Sequence, residues 1–200
     1  MIQTTRPASA RVDADLVILA AGASTRMGHP KALTRLGDET ALERIVRAAV
    51  GMRIVVVLGE HHDIIRRALP ALDVRWIRNP APEMGRTGSL QRGLAATRSA
   101  RVLVLPVDHP LVRPDTMQLL ARRPEAWVLP THGGRGGHPL KLGEMGVAAV
   151  MSAPPNTPLR DIPRMVGMEV TRVEVDDAGV LANLDTPQDV EKATGGSRRG

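Results

Sequence analysis

Short apolar runs alternate with segments of helical spacing along most of this chain. A continuous apolar run of about four to eight residues is typical of a strand buried on both faces, and its alternation with helices is typical of βαβ units. The sequence therefore predicts an α/β domain with a mainly parallel sheet. The predicted strands are residues 16–20, 54–58, 74–77, 102–107 and 127–129, and the predicted helices are 39–50, 61–72, 88–98 and 114–123.

The pattern changes after residue 130. The stretch "THGGRGGHPLKL" predicts two short strands around a Gly-rich turn. Residues 168–175 alternate as a late strand, and residues 186–193 form a short terminal helix with a proline near its first turn. Since we find no internal repeat, we expect one domain at 15–192, a flexible N-terminal segment at 1–14 and a disordered tail at 193–200.

Composition excludes several classes of protein. The chain has no cysteine, which rules out disulfides and thiolate metal sites. The net charge of +6 lies mostly in the terminal segments, since residues 15–191 carry 22 basic and 20 acidic residues. With two tryptophans and no Phe or Tyr, a stacking platform for nucleic-acid bases is almost absent. No apolar stretch is long enough for a membrane span and no secretory signal is recognisable, so we expect a cytoplasmic protein without nucleic-acid or membrane partners.

The segment after the first strand, "AAGASTRMGHPK", has the composition of a phosphate-binding loop. Its glycines let backbone N–H groups approach phosphate oxygens, and Arg26 and Lys31 supply neutralising charge. The spacing matches neither G-x-G-x-x-G nor G-x-x-x-x-G-K-[ST], so the dinucleotide and P-loop motifs are both absent. From the residues alone, a Gly-rich turn with two solvated cations remains the alternative.

Two aspartates follow apolar stretches and precede proline-containing turns. Asp108 lies in "LPVDHPL" and Asp185 in "LANLDTP", with Asn183 beside it. If both preceding strands are parallel neighbours, both carboxylates emerge at the same sheet edge and can share one Mg²⁺. The alternatives are a turn-initiating residue before Pro110 for Asp108 and a helix N-cap residue for Asp185. We interpret His109 as a turn residue or a neighbour of the metal site.

Two further loops are candidates for binding. "NPAPEMGRTGSLQRGL" places Gly85, Gly88 and Ser89 before a helix, which suits a nucleobase edge or simply an N-capped helix. "GGRGGHPLKL" brings Arg135, His138 and Lys141 together, which suits an anionic substrate or a solvent-exposed basic hairpin.

Taken in order, these segments resemble the nucleotidyltransferases of the molybdenum cofactor group, the MobA-like NTP transferases. "LAAGASTRMGHPKAL" is similar to the family's phosphate signature L-A-A-G-x-S-x-R-M-G-x-P-K, "PVDHPLV" to its metal-binding Asp motif, "GGHPLKL" to its G-H-P segment and "NLDTPQDV" to its closing D-T-P-x-D motif. "LAAG" followed by "PK" resembles the cytidylyltransferase branch. The chain departs from the family at Val107, where glycine is usual, and at "EMGRTGSL", where G-M-G-S-S-L is usual.

The resemblance implies a Rossmann-like three-layer fold of nucleotide-diphospho-sugar transferases, with the nucleotidyltransferase domain at 15–192. It implies Mg²⁺-dependent transfer of CMP from CTP to a phosphorylated acceptor, molybdopterin, with pyrophosphate released and the product handed to a molybdoenzyme or its chaperone. It assigns catalysis to Lys31, Arg26 and Asp108, and the metal to Asp108 and Asp185. It assigns the nucleotide to Leu19, Ala20, Ala21, Gly22, Ser24, Lys31, Gly88 and Ser89, and the substrate to Arg135, His138 and Lys141.

Three alternatives stay open from the sequence. The acceptor can be a sugar phosphate or an alcohol phosphate, or the chain can be a catalytically silent nucleotide-binding module. The presence of Lys31, Asp108 and Asp185 together argues against the silent module. A dinucleotide oxidoreductase is disfavoured because G-x-G-x-x-G is absent.

Overall fold

The computed structural model of the protein describes residues 13–22 and 27–195, which form strands and helices in the alternating order expected of βαβ units. The strands are β1 (Asp15–Ala20), β2 (Arg35–Leu36), β3 (Glu39–Thr40), β4 (Arg53–Leu58), β5 (Arg75–Arg78), β6 (Val102–Pro106), β7 (Trp127–His132), β8 (Arg135–Gly136), β9 (Leu140–Leu142) and β10 (Thr171–Glu174). The helices are α1 (Ala41–Ala48), α2 (His62–Ala68), α3 (Arg86–Leu94), α4 (Pro114–Ala121), α5 (Glu144–Ser152), α6 (Ile162–Met165) and α7 (Pro187–Gly195).

One sheet runs through the domain in the strand order β10-β7-β9-β6-β1-β4-β5, with β8 attached to β7. Strand β1 lies at its centre and pairs in parallel with β4 and β6. Strand β9 interrupts the parallel arrangement by pairing antiparallel with both β6 and β7, and β8 also pairs antiparallel with β7. The prediction of a mainly parallel α/β fold is confirmed.

Helices cover both faces of this sheet, which explains why the interior strands β1, β4 and β6 are mostly apolar. Alternate residues of β1 belong to different cores, since Leu16 and Ile18 pack with α1, α2 and α4, whereas Val17 and Leu19 pack with α3, α5 and α6. The contact with α3 is especially close, because a Cβ atom at Gly93 would lie 2.5 Å from the Val17 side chain. The domain therefore has three layers.

The structure differs from the prediction in several places. Glu39–Thr40, predicted as the start of a helix, forms β3, which pairs antiparallel with the unpredicted β2. Helix α5 was not predicted, because its sequence is almost entirely apolar and lacks the polar face that marks an amphipathic helix. Helix α7 continues to Gly195, so residues 193–195 are helical although the disordered tail was predicted to begin at 193. The extra turn is held by Ala193, which packs near Leu36 and Leu184, and by the Thr194 hydroxyl, which donates to the Val190 carbonyl at 2.9 Å.

Within the described residues, no helix has the length and apolar character needed to cross a bilayer.

Candidate functional site

A cavity of about 360 Å³ opens where β1, β4 and β6 end, at the carboxyl edge of the parallel strands. Ligands of open α/β sheets bind at this edge. Eight residues assigned from the sequence line it, namely Leu19, Ala20, Ala21, Gly22, Lys31, Ser89, Asp108 and Asp185. Ser24 and Arg26 lie outside the described residues.

The loop after β1 is fixed against the loop after β4 by a close backbone approach. A Cβ atom at Gly59 would lie only 2.5 Å from the Ala21 carbonyl oxygen, so a side chain at this position cannot be accommodated without a shift. At its far end the loop passes Gly28, at φ +68°, and enters a 3₁₀ turn that begins at Lys31. The Lys31 side chain is thereby directed into the cavity.

Lys31 joins the two aspartates. Its ammonium nitrogen lies 3.3 Å from Asp108 Oδ2 and forms a second ion pair with Asp185 Oδ1. The side chains of Lys31 and Asp108 are each only 18% exposed. Because both carboxylates contact one nitrogen atom, they lie within reach of a single cation.

The route by which Asp185 reaches this point differs from the sequence-based expectation. Residues 182–184 are not a strand, and Asp185 follows a 3₁₀ turn at Ala178–Leu181. The backbone N–H of Leu184 donates to the Asp108 carbonyl at 2.8 Å and so ties the two segments together. The two aspartates therefore meet through a loop contact rather than as the ends of neighbouring strands.

Asp185 is not the N-cap residue of α7, because Thr186 and Asp189 form that cap. Thr186 precedes α7, its hydroxyl accepts from the Asp189 N–H at 3.3 Å, and the Asp189 carboxylate accepts from the Thr186 N–H at 2.9 Å. This reciprocal pair is a capping box with aspartate in the third helical position. The Asp185 carboxylate instead faces Lys31 and accepts from Asn183 Nδ2 at 2.9 Å.

Asp108 is held in its ionised form. Burial by itself would raise the pKa of this carboxyl, but His109 and Lys31 outweigh that effect and lower it to about 2. His109 contributes most, through its Nδ1 atom 2.8 Å from Asp108 Oδ1. An ionised, partly buried carboxylate is a strong ligand for a hard cation.

The His138 ring contacts the His109 ring. The two rings meet edge to face with centroids 4.5 Å apart. Burial lowers the pKa of His138 to about 4, and the nearby charges of His109 and Arg86 act in the same direction against Asp108. His138 is therefore a neutral ring near the aspartates, although it does not line the cavity.

The two carboxylates suit a divalent cation that takes its remaining ligands from water and a bound substrate. Within the part of the chain that the structure describes, no group of three or more His, Asp or Glu side chains could hold a metal ion. Mg²⁺ commonly takes only one or two carboxylates and completes its shell with waters and substrate phosphates. Asp108 and Asp185 satisfy that requirement.

Three other assigned residues are not brought to the cavity. Gly88 lines a separate cavity with Asn79 and Gln91, and its N–H donates to the Pro155 carbonyl at 3.0 Å. Arg135 is exposed in β8. Lys141 is fully buried.

Lys141 lies at the opposite end of the sheet from Asp108. It pairs with Leu103 near the start of β6, about five residues or ~16 Å along the strand from Asp108. Its ammonium donates to the Glu125 carbonyl, and burial lowers its pKa. Strand β9 places this side chain in the sheet interior because it is inserted between β6 and β7 instead of forming an exposed hairpin.

Two polar residues that line the cavity, His61 and Arg86, were not assigned from the sequence. His61 follows β4, so the strand-end rule that selected Asp108 also applies to it. Arg86 is part of "EMGRTGSL", the segment that departs from the usual G-M-G-S-S-L of the family.

Comparisons with known proteins identify relatives of this chain. The family model described as "MobA-like NTP transferase domain" matches residues 16–182. The chain is 26% identical over 179 residues to the molybdenum cofactor cytidylyltransferase of Escherichia coli K12, covering 88% of this chain and 92% of that protein. It is 25% identical over 191 residues to a probable molybdenum cofactor guanylyltransferase of Natronomonas pharaonis, covering 88% and 95%.

A solved structure shares the fold. Rv0371C of Mycobacterium tuberculosis H37Rv, crystallised in complex with manganese, superposes with a TM-score of 0.74 at 21% identity, covering 91% of this chain and 97% of that one. The expected Rossmann-like fold is confirmed.

Proposed function

Because the chain belongs to the MobA-like NTP transferase family and is a nucleotidyltransferase, we propose that it transfers CMP from CTP to molybdopterin in the cytoplasm and releases pyrophosphate. The observation that carries this proposal is the ion-pair cluster of Lys31 with Asp108 and Asp185, in a cavity walled by the loop after β1. We expect a molybdoenzyme or its chaperone to receive the product.

In this reaction the protein has to position the two substrates and stabilise negative charge. An oxygen of the acceptor phosphate forms a bond to the α-phosphorus of CTP while the bond from that phosphorus to pyrophosphate breaks. The acceptor is already an anion, so no side chain has to remove a proton. Lys31 and the amides of the loop after β1 would stabilise the negative charge that builds up on the α-phosphate and the leaving group.

Asp108 and Asp185 would hold Mg²⁺, which when bound neutralises phosphate charge and orients the reacting groups. His109 keeps the Asp108 carboxylate ionised and oriented through its 2.8 Å contact. We place Leu19, Ala20, Gly22 and Ser89 around the nucleotide because they line the same cavity.

Preference for CTP over GTP rests on Ala21. Ala21 lines the cavity, and its backbone carbonyl packs closely against Gly59, which limits how far this part of the loop can move. A smaller pyrimidine is accommodated more easily there than a purine. The relatives in both the cytidylyl and the guanylyl branches make this the first point to test.

The experiment is a pyrophosphate-release assay over the four NTPs, with and without molybdopterin and with sugar phosphates as rival acceptors. We expect turnover with CTP, Mg²⁺ and molybdopterin together. Equal or better turnover of GTP would reverse the nucleotide assignment, and turnover with a sugar phosphate alone would replace the acceptor. Nucleotide binding without turnover on any acceptor would favour a silent module.

A further inference from the structure

Arg86 lines the cavity from the start of α3, which packs on one face of the sheet, whereas Ala32, next to Lys31, packs into the core on the other face. Arg86 is the first residue of α3 and lies exposed to solvent, one helical turn before Ser89. Lys31 also lines the cavity, so both segments bring positive charge to it.

The backbone that carries Arg86 is fixed by the segment after α5. The Thr87 side chain is buried, and its hydroxyl donates to the Thr157 carbonyl at 2.5 Å. The Gly88 N–H donates to the Pro155 carbonyl at 3.0 Å. Gly85 has φ +117°, and a Cβ atom there would lie 2.9 Å from the same carbonyl oxygen. Arg86 therefore projects from a constrained position at the cavity edge rather than from a loose loop.

Among residues 13–22 and 27–195, Arg86 forms no ion pair with an acidic side chain, whereas Lys31 is paired with two. Its field extends toward His138, where it adds to burial and to His109 in lowering the pKa of that ring. The guanidinium is thus an available counter-ion at the cavity.

We propose that Arg86 binds the phosphate group of the acceptor, an assignment that rests on the proposed transfer to a phosphorylated acceptor. A guanidinium can donate two parallel hydrogen bonds to a phosphate, which fixes the position of the anion as well as its charge. In the proposed function the triphosphate would lie near Lys31 and the loop after β1, which leaves Arg86, at the start of α3, to position the attacking group. This gives the unusual "GRTGS" sequence a chemical purpose.

The test compares Arg86→Gln and Arg86→Lys with Arg92→Gln. Arg92 is an exposed arginine of the same helix that lines the separate cavity, so it controls for the general loss of positive charge. In the transfer assay, R86Q raises the KM for molybdopterin about tenfold or more and changes the KM for CTP less than about twofold. R86K falls between wild type and R86Q, because it keeps the charge but loses the paired donors.

A second measurement does not depend on turnover. Inorganic phosphate is titrated into each protein by calorimetry at constant ionic strength. R86Q binds phosphate at least about tenfold more weakly than R92Q does. Melting temperatures confirm that the variants are folded.

The outcomes separate this proposal from the proposed function. If R86Q and R92Q have the same KM for molybdopterin, the acceptor assignment is overturned while the transfer reaction stands. An increase confined to the KM for CTP moves Arg86 to the triphosphate and also overturns it. If wild type transfers no nucleotide, the proposed function fails, and the phosphate titration alone decides whether Arg86 is an anion site.

Discussion

Replacement of Lys31 by methionine tests the central ion-pair cluster directly. Methionine keeps the apolar stem of the side chain and removes the ammonium that joins Asp108 to Asp185. Two partly buried carboxylates are then left facing each other without their internal cation. We expect the folded protein to lose stability and to gain affinity for a divalent cation at this point.

The size of the loss follows from the geometry. One ion pair at 3.3 Å corresponds to about 5 kcal/mol at an effective dielectric constant of about 20, which is an upper limit. Solvent reaches 18% of the Asp108 side chain and 30% of the Asp185 side chain, so screening reduces the value. Breaking a fully buried pair costs about 3–5 kcal/mol and an exposed one up to about 1 kcal/mol. An intermediate cost of about 2 kcal/mol lowers the Tm of a domain of this size by roughly 4–8 °C.

The assay is thermal unfolding at pH 7 in EDTA and again in excess MgCl₂ or MnCl₂. The Tm of K31M rises more with metal than that of wild type, because a ligand that binds only the folded state stabilises it. Exposed Lys192 in α7 supplies the matched control, and K192M leaves both values unchanged. In the transfer assay K31M lowers kcat/KM by about 10²–10³. A Tm equal to that of wild type with no added response to metal would refute the arrangement of Lys31 between the two aspartates.

Four further outcomes are expected. Asp108→Asn and Asp185→Asn each abolish metal-dependent turnover, and the double variant is little worse than either, since the pair acts as a unit. Additive losses would show that the two carboxylates do not bind one metal ion together. The folded-state pKa of Asp108, about 2, lies below its unfolded value, so its contribution is present above about pH 4 and is lost as the pH falls toward 2. Urea unfolding should therefore show wild type losing up to about 2 kcal/mol more than D108N across that range, and parallel curves would contradict this. Lys141→Met changes the KM for acceptor by less than about twofold, because the side chain lies at the other end of the sheet; a large KM increase with an unchanged Tm would return it to the site. Gly59→Ala places a Cβ atom 2.5 Å from the Ala21 carbonyl oxygen. We expect it to lower the free energy of unfolding by about 1–3 kcal/mol in urea and to weaken CTP binding. Unaltered CTP affinity by calorimetry would show that the loop tolerates the shift.

The sequence determined the long strands of the main sheet, the central helices and the edge at which a ligand would bind. Runs such as residues 16–20 and 54–58 are apolar on both faces, and only a sheet covered by helices on each side buries them completely. The same local pattern placed Gly22, Lys31 and Asp108 after strand ends. These features could be predicted because each depends on neighbours in the chain.

Contacts between distant segments were decided by the tertiary structure alone. The insertion of β9 between β6 and β7 buried Lys141, although its local sequence is that of a basic hairpin. Thr186 and Asp189 took the cap of α7 and left the Asp185 carboxylate to Lys31. Strand order and loop packing depend on which buried surfaces fit together across the whole domain. The hydrophobic periodicity of a single segment carries no information about these distant contacts.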